Sequence, residues 1–100
     1  MSYADINTQN IRLIILRDLN DSYAYTSNDS VLRSVLELYG QPVSRDRVRT
    51  ELTWLADQGL VALIPIGESG SYRVTLTGAG IDVALGKTTN PGVQRPTPRL

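Results

Sequence analysis

Val43-Ser44-Arg45-Asp46-Arg47-Val48-Arg49-Thr50-Glu51-Leu52-Thr53-Trp54-Leu55-Ala56-Asp57-Gln58-Gly59-Leu60-Val61 is a stretch with both ends of a helix written into it. Ser44 is the expected N-cap, because its hydroxyl can accept a bond from a free backbone N–H of the first turn. Asp46 sits where the helix dipole favours negative charge. Val48, Leu52, Leu55 and Ala56 recur at helical spacing and form one apolar stripe. Gly59 supplies the residue that closes a helix in the left-handed conformation. The outward arc carries Arg47, Arg49, Thr50, Thr53, Asp46 and Asp57, with Arg45 at the leading end. Trp54 lies off the stripe, beside Arg47 and Thr50.

Upstream, two more helices are expected. The first runs from Ile6 to Leu19, with Asp5 as its cap. It carries two stripes: Ile11, Ile14, Ile15 and Leu19 on one, and Ile6, Leu13 and Leu16 on the other. The second stripe is either sandwiched within the domain or forms a subunit interface. After Asn20-Asp21-Ser22 breaks the pattern, Ser27 starts a second helix that reaches Tyr39 and stops at Gly40, just before Pro42. Val31, Leu32, Val35, Leu36, Leu38 and Tyr39 cover one side of this helix, and Ser30, Arg33, Ser34 and Glu37 cover the other. Tyr23 and Tyr25 are expected to lock the loop before it.

Downstream, Leu60 to Ile66 is an apolar run, Gly67-Glu68-Ser69-Gly70 supplies turn residues, and Tyr72, Val74 and Leu76 alternate with Arg73, Thr75 and Thr77. That pattern is a β-hairpin. Thr77 caps a short closing helix through Leu85, ended by Gly86. From Lys87 onward, proline, glycine, threonine and asparagine accompany only Val93 and Leu100 as large apolar residues, so an extended arm is expected over 87–100, outside a domain of 1–86. The arm is either a flexible end or a peptide that docks on another protein or a sister subunit.

Composition narrows the function. The chain has 100 residues, 41% of them apolar, with ten basic and ten acidic side chains and neither cysteine nor histidine. Thiolate and imidazole chemistry, disulfides and the usual zinc ligands are therefore absent. Acid pairs such as Asp18 with Asp21, or Asp29 with Glu37, have no partner base and read as solvated carboxylates. The glycines make no phosphate-cradling fingerprint. No enzyme activity, cofactor or metal is expected. With neither an apolar span nor a signal-like start, a cytoplasmic location is expected.

The order helix, helix, tight turn, helix, hairpin is that of a winged helix-turn-helix: mainly α, with a three-helix core, a two-stranded wing and a short C-terminal helix. The residues from Val43 to Val61 resemble the recognition helix, closing glycine and first wing strand of MarR-like and ArsR-like winged-helix domains. Tyr72 to Gly80 is similar to their second wing strand and following helix start. A wider likeness is to a small family of Mu-like phage and prophage proteins. It rests on Asn7 to Arg12 (with the spacing loosened to Asn10-Ile11-Arg12), Arg49 to Leu55, Gly80 to Ala84 and Gly92 to Pro96. This resemblance implies a phage-encoded winged-helix protein in the cytoplasm of a bacterial host and brings no activity with it.

On the winged-helix reading, the third helix enters the major groove of duplex DNA. Arg45, Arg47 and Arg49 then meet phosphate or guanine, Ser44, Thr50 and Thr53 supply hydrogen bonds, and Arg73 adds a backbone contact. Three of the four charges within 44–50 are arginines, and 87–100 holds only positive side-chain charge, whereas 1–43 and 51–86 are net acidic. A patch this small favours a homodimer over a monomer as the binding species. Glu68 at the wing tip opposes minor-groove contact. The alternative for the arginines is a solvated face with local salt bridges to Asp46, Glu51 or neighbouring acids. The alternative function is a protein-interaction adaptor in a phage complex, using Ile6, Leu13, Leu16 and Trp54 as its interface. Trp54 either packs under the wing or a neighbouring helix, or anchors that interface.

Overall fold

In the computed structural model, which describes residues 2–97, a capping box opens the first helix. The Ser2 hydroxyl accepts from Asp5 N–H at 3.2 Å, and the Asp5 carboxylate accepts from Ser2 N–H at 3.4 Å. Helix α1 therefore spans Tyr3–Asp21, starting earlier than the Asp5 cap expected from sequence. Its apolar arc is wide because α1 runs through the middle of the fold, against α2 (Asp29–Leu38), α4 (Gly78–Leu85) and β3 (Ser71–Leu76). Both stripes are consumed there: Ile11, Leu13, Ile15, Leu16 and Leu19 are all buried, and only Ile6 stays half exposed.

A short 3-10 turn, Tyr23–Tyr25, leads into β1 (Thr26–Asn28), where a loop was expected. Thr26, Ser27 and Asn28 pair antiparallel with Thr75, Val74 and Arg73. The sheet thus has three strands in the order β1-β3-β2, not two. Tyr23 is 96% exposed and locks nothing. Asn28, not Ser27, caps α2 by accepting from Val31 N–H at 2.9 Å. Gln41 donates to Asn7 and Asn10, which pins the turn after α2 to α1.

Helix α3 (Arg45–Asp57) is capped by Ser44 as its sequence requires, and closed by Gly59 at φ +74°. Strands β2 (Val61–Ile66) and β3 form the wing in the register Val61↔Leu76 to Ile66↔Ser71. Thr77 caps α4, accepting from Gly80 N–H at 3.1 Å while donating to the Gly59 carbonyl at 2.7 Å. The core collects Leu32, Leu36, Val48, Leu52, Leu55, Val74, Val83 and the buried face of α1.

Residues 87–97 carry no regular element but do not hang free. Val93 is buried, Gln94 N–H donates to the Gln9 carbonyl at 3.1 Å, and Asn10 donates to the Gln94 side chain at 2.6 Å. The arm is a strap lying along α1 of its own chain, which corrects both sequence readings of it; residues 98–100 lie outside the described residues. Burial of Val93 with the strap's hydrogen bonds contributes about 2 kcal/mol. Truncation after Thr89 is expected to lower stability by that amount in urea titration and to shift Trp54 emission to the red. Unchanged emission would show that the strap does not cover the indole.

Candidate nucleic-acid interface

The predicted contact residues divide into two groups once α3 is set in place. Arg45, Thr50 and Thr53 on α3 are exposed, as are Ser44 before it and Arg73 on β3. The Ser44 hydroxyl is committed to capping Arg47 N–H at 3.1 Å. Thr50 Oγ1 donates back to the Asp46 carbonyl at 3.0 Å. A terminal nitrogen of Arg45 donates to Ser71 Oγ at 3.1 Å, so the start of α3 touches the wing. Ser71 and Arg73 stand two apart on β3 and so point to the same side of the sheet. Arg45 and Arg73 therefore flank one side of the wing.

Arg47 and Arg49 are held by the protein itself. Arg47 Nε donates to Glu51 Oε2 at 2.7 Å, and one of its terminal nitrogens donates to Thr8 Oγ1 of α1 at 2.7 Å. Arg49 lies against Gly70 at the wing turn, with its Nε 3.6 Å from Asp29 Oδ2. That pair is long: Asp29 Oδ2 and Arg49 Nε are both buried without a hydrogen-bond partner. Asp29 itself is buried and accepts from Tyr72 N–H at 3.2 Å, so it is a structural carboxylate and not the solvated one expected. Arg47 thus follows the local salt-bridge alternative with its side chain still 38% exposed, whereas Arg49, turned to Asp29 and Gly70, departs from the solvent-facing expectation.

Glu51, one of the acids that the salt-bridge alternative offered the α3 arginines, sits between two arginines in space. It is 3% exposed and receives both Arg47 and Arg12, the latter through Nε at 2.8 Å. The Arg12 guanidinium lies 3.6 Å from the Trp54 ring centroid, and another of its nitrogens donates to the Gly92 carbonyl at 3.0 Å. Gly92 meets the Trp54 ring so closely that a β-carbon would collide with it. Trp54 thus packs against α1, through Arg12, and under the strap, in line with the neighbouring-helix alternative. The interface proposed from Leu13, Leu16 and Trp54 is unavailable, because the two leucines are core residues and the indole is covered. Ile6 is the one member of that set left exposed.

A groove of about 430 Å³ lies between α2 and the start of α3, lined by Ser30, Arg33, Ser34, Glu37, Arg45 and Ser71. Arg33 donates to the Val43 carbonyl at 3.2 Å, and Glu37 one turn on offsets its charge. Elsewhere, burial and then the neighbouring Asp21 push the Asp18 carboxyl above its ordinary value. Among the described residues no cluster of acidic side chains is placed to hold a metal ion, and no helix is long and apolar enough to cross a membrane.

No family model matches the chain. Gp26 of Escherichia phage Mu, an uncharacterized protein, is 47% identical over 95 residues, covering 95% of this chain and 96% of gp26. The chain belongs to the gp26 family. Three of the four segments that carry the Mu-like resemblance, those containing Arg12, Glu51 with Trp54, and Gly92, meet in one cluster; Gly80–Ala84 is not part of it. An uncharacterized Haemophilus influenzae protein is 44% identical to this chain over 63 residues, 63% of this chain and 61% of its own length. Among solved structures, RosR of H. salinarum superposes with a TM-score of 0.65 at 22% identity, over 77% of this chain and 67% of RosR. The complex structure of hsRosR-S1 gives 0.63 at 22% identity, over 76% of this chain and 65% of that one, so the chain spans about two thirds of the RosR length. The likeness supports a winged-helix-like fold and does not extend to MarR or ArsR membership.

Proposed function

We propose that this gp26-family chain is a phage-encoded DNA-binding protein of the regulator type that touches duplex DNA with the leading end of α3 and the adjoining wing. The observation carrying this reading is the placement of exposed Arg45 and Arg73 on one side of the wing, beside exposed Thr50 and Thr53, while Val48, Leu52 and Leu55 anchor the helix from behind. Arg45 and Arg73 supply phosphate contacts, which position the protein, and the threonines supply hydrogen bonds into the groove. Asp46 and Asp57 share the exposed arc of α3 and oppose phosphate, so contact is local and weak.

Fluorescence anisotropy with duplex DNA from low to moderate salt tests the reading. Two phosphate contacts predict log affinity falling against log salt with a slope of about −2 per chain. Replacing Arg45 and Arg73 together with alanine is expected to flatten that slope. Arg47→Ala is expected to leave the slope nearly intact and to change stability little. Absence of any association at low salt would overturn the reading in favour of a non-catalytic adaptor, for which the acidic side chains on the α3 arc and the bare apolar residues of α2 speak.

A further inference from the structure

The exposed side of α2 is apolar where the fold does not need it to be. Only Leu32 and Leu36 of its apolar set are fully buried, whereas Leu38 is 83% and Val31 47% exposed. Val31, Val35 and Leu38 line one shallow groove and Arg33 and Glu37 another, and the two grooves share Ser30 and Ser34. At about 100° per residue, Ser34 marks the middle of the exposed arc. Leu38 and Val31 stand roughly 40° and 60° to one side of it, and Glu37 and Arg33 roughly 60° and 100° to the other.

This arrangement is complementary to itself. When two copies of α2 lie antiparallel about a two-fold axis at Ser34, like flanks meet. Val31 then faces Leu38 of the partner subunit, and Arg33 faces Glu37 of the partner subunit, each twice. Small Ser30 and Ser34 in the middle let the backbones approach. Among the described residues no ion pair engages Glu37, so its carboxylate is free for such a contact. The chain's zero formal net charge adds no long-range repulsion between copies.

We propose that a second copy of this chain covers the α2 face in an antiparallel two-fold pair, held by Val31 against Leu38 and by reciprocal Arg33–Glu37 contacts. Ten residues of helix extend only about 15 Å, less than a standard interface occupies, so the association is reversible and belongs to the weak class. The inference does not rest on DNA binding, and its test contains no DNA.

The experiment is sedimentation equilibrium of the full chain at low salt, up to about 0.5 mM, where weak pairs of this size populate. A monomer–dimer equilibrium is expected. Leu38→Glu, at a position 83% exposed, should weaken it at least tenfold while thermal unfolding stays unchanged. Arg33→Glu and Glu37→Arg should each weaken it, the double reversal should restore it, and a mixture of the two single variants should pair preferentially with each other. A chain that stays monomeric throughout, a dimer indifferent to Leu38→Glu, or a double reversal no better than the singles would each overturn the proposal.

Discussion

Replacing Glu51 with alanine is expected to cost about 4 kcal/mol of folding stability, a large part of the total for a domain of this size. The carboxylate is almost fully enclosed and has Arg12 at 2.8 Å and Arg47 at 2.7 Å. The Arg12 side chain is 15% exposed, so without Glu51 its charge stays in a poorly solvated place against Trp54. That half of the network sets the cost. Arg47 is 38% exposed and can turn to water, so its half contributes little. Glu51→Gln keeps the shape and one acceptor and should lose roughly half as much. Urea titration at neutral pH measures both, and a loss below about 1 kcal/mol for the alanine variant would show that water reaches the Arg12 guanidinium.

Gly80→Ala is the second large effect, expected at about 3 kcal/mol. A β-carbon at Gly80 runs into the Leu60 carbonyl oxygen and lies 2.6 Å from Leu76 Cδ1. The leucine side chain can give way, but the carbonyl cannot, because it is backbone and already accepts from Thr77 N–H at 3.1 Å. The N-terminal turn of α4 must then lift off the base of the wing. Gly78, two residues earlier in the same turn, meets nothing within 4 Å, and Gly78→Ala should instead gain a few tenths of a kcal/mol from helix propensity. Thermal unfolding of the two variants side by side separates close approach from propensity. Equal behaviour would mean that α4 is not seated on Leu60.

The contrast between these glycines shows what the sequence discloses and what it hides. Caps and stops at Ser44, Gly59, Thr77 and Gly86 are legible because each is a local bargain between one side chain and one backbone group. The alternation of Tyr72, Val74 and Leu76 is legible for the same reason. Strand β1 is not, since three polar residues give no alternation and pair only because β3 offers them an edge. The direction of Arg47 and Arg49 from the α3 axis is readable, but Thr8 and Asp29, which hold them, lie on other elements. The clue available was Glu51, four residues after Arg47 and at the margin of the Val48-Leu52-Leu55 stripe, where a carboxylate calls for a cation. Within the strap, Val93 carries too little apolar area to announce burial, and its neighbour Gly92 is held by Trp54 and Arg12 far away in the chain.

That distance bears on how the molecule is made. Arg12 and Gly92 are 80 positions apart, yet they share a hydrogen bond over the face of Trp54. During vectorial synthesis the three helices and the wing have all left the ribosome while this indole is still bare, and a contact of such long sequence separation forms late because its loop is costly to close. The nascent protein thus passes through a stage with a naked aromatic surface, and fusions or tags placed close behind Pro96 burden the step that ends it.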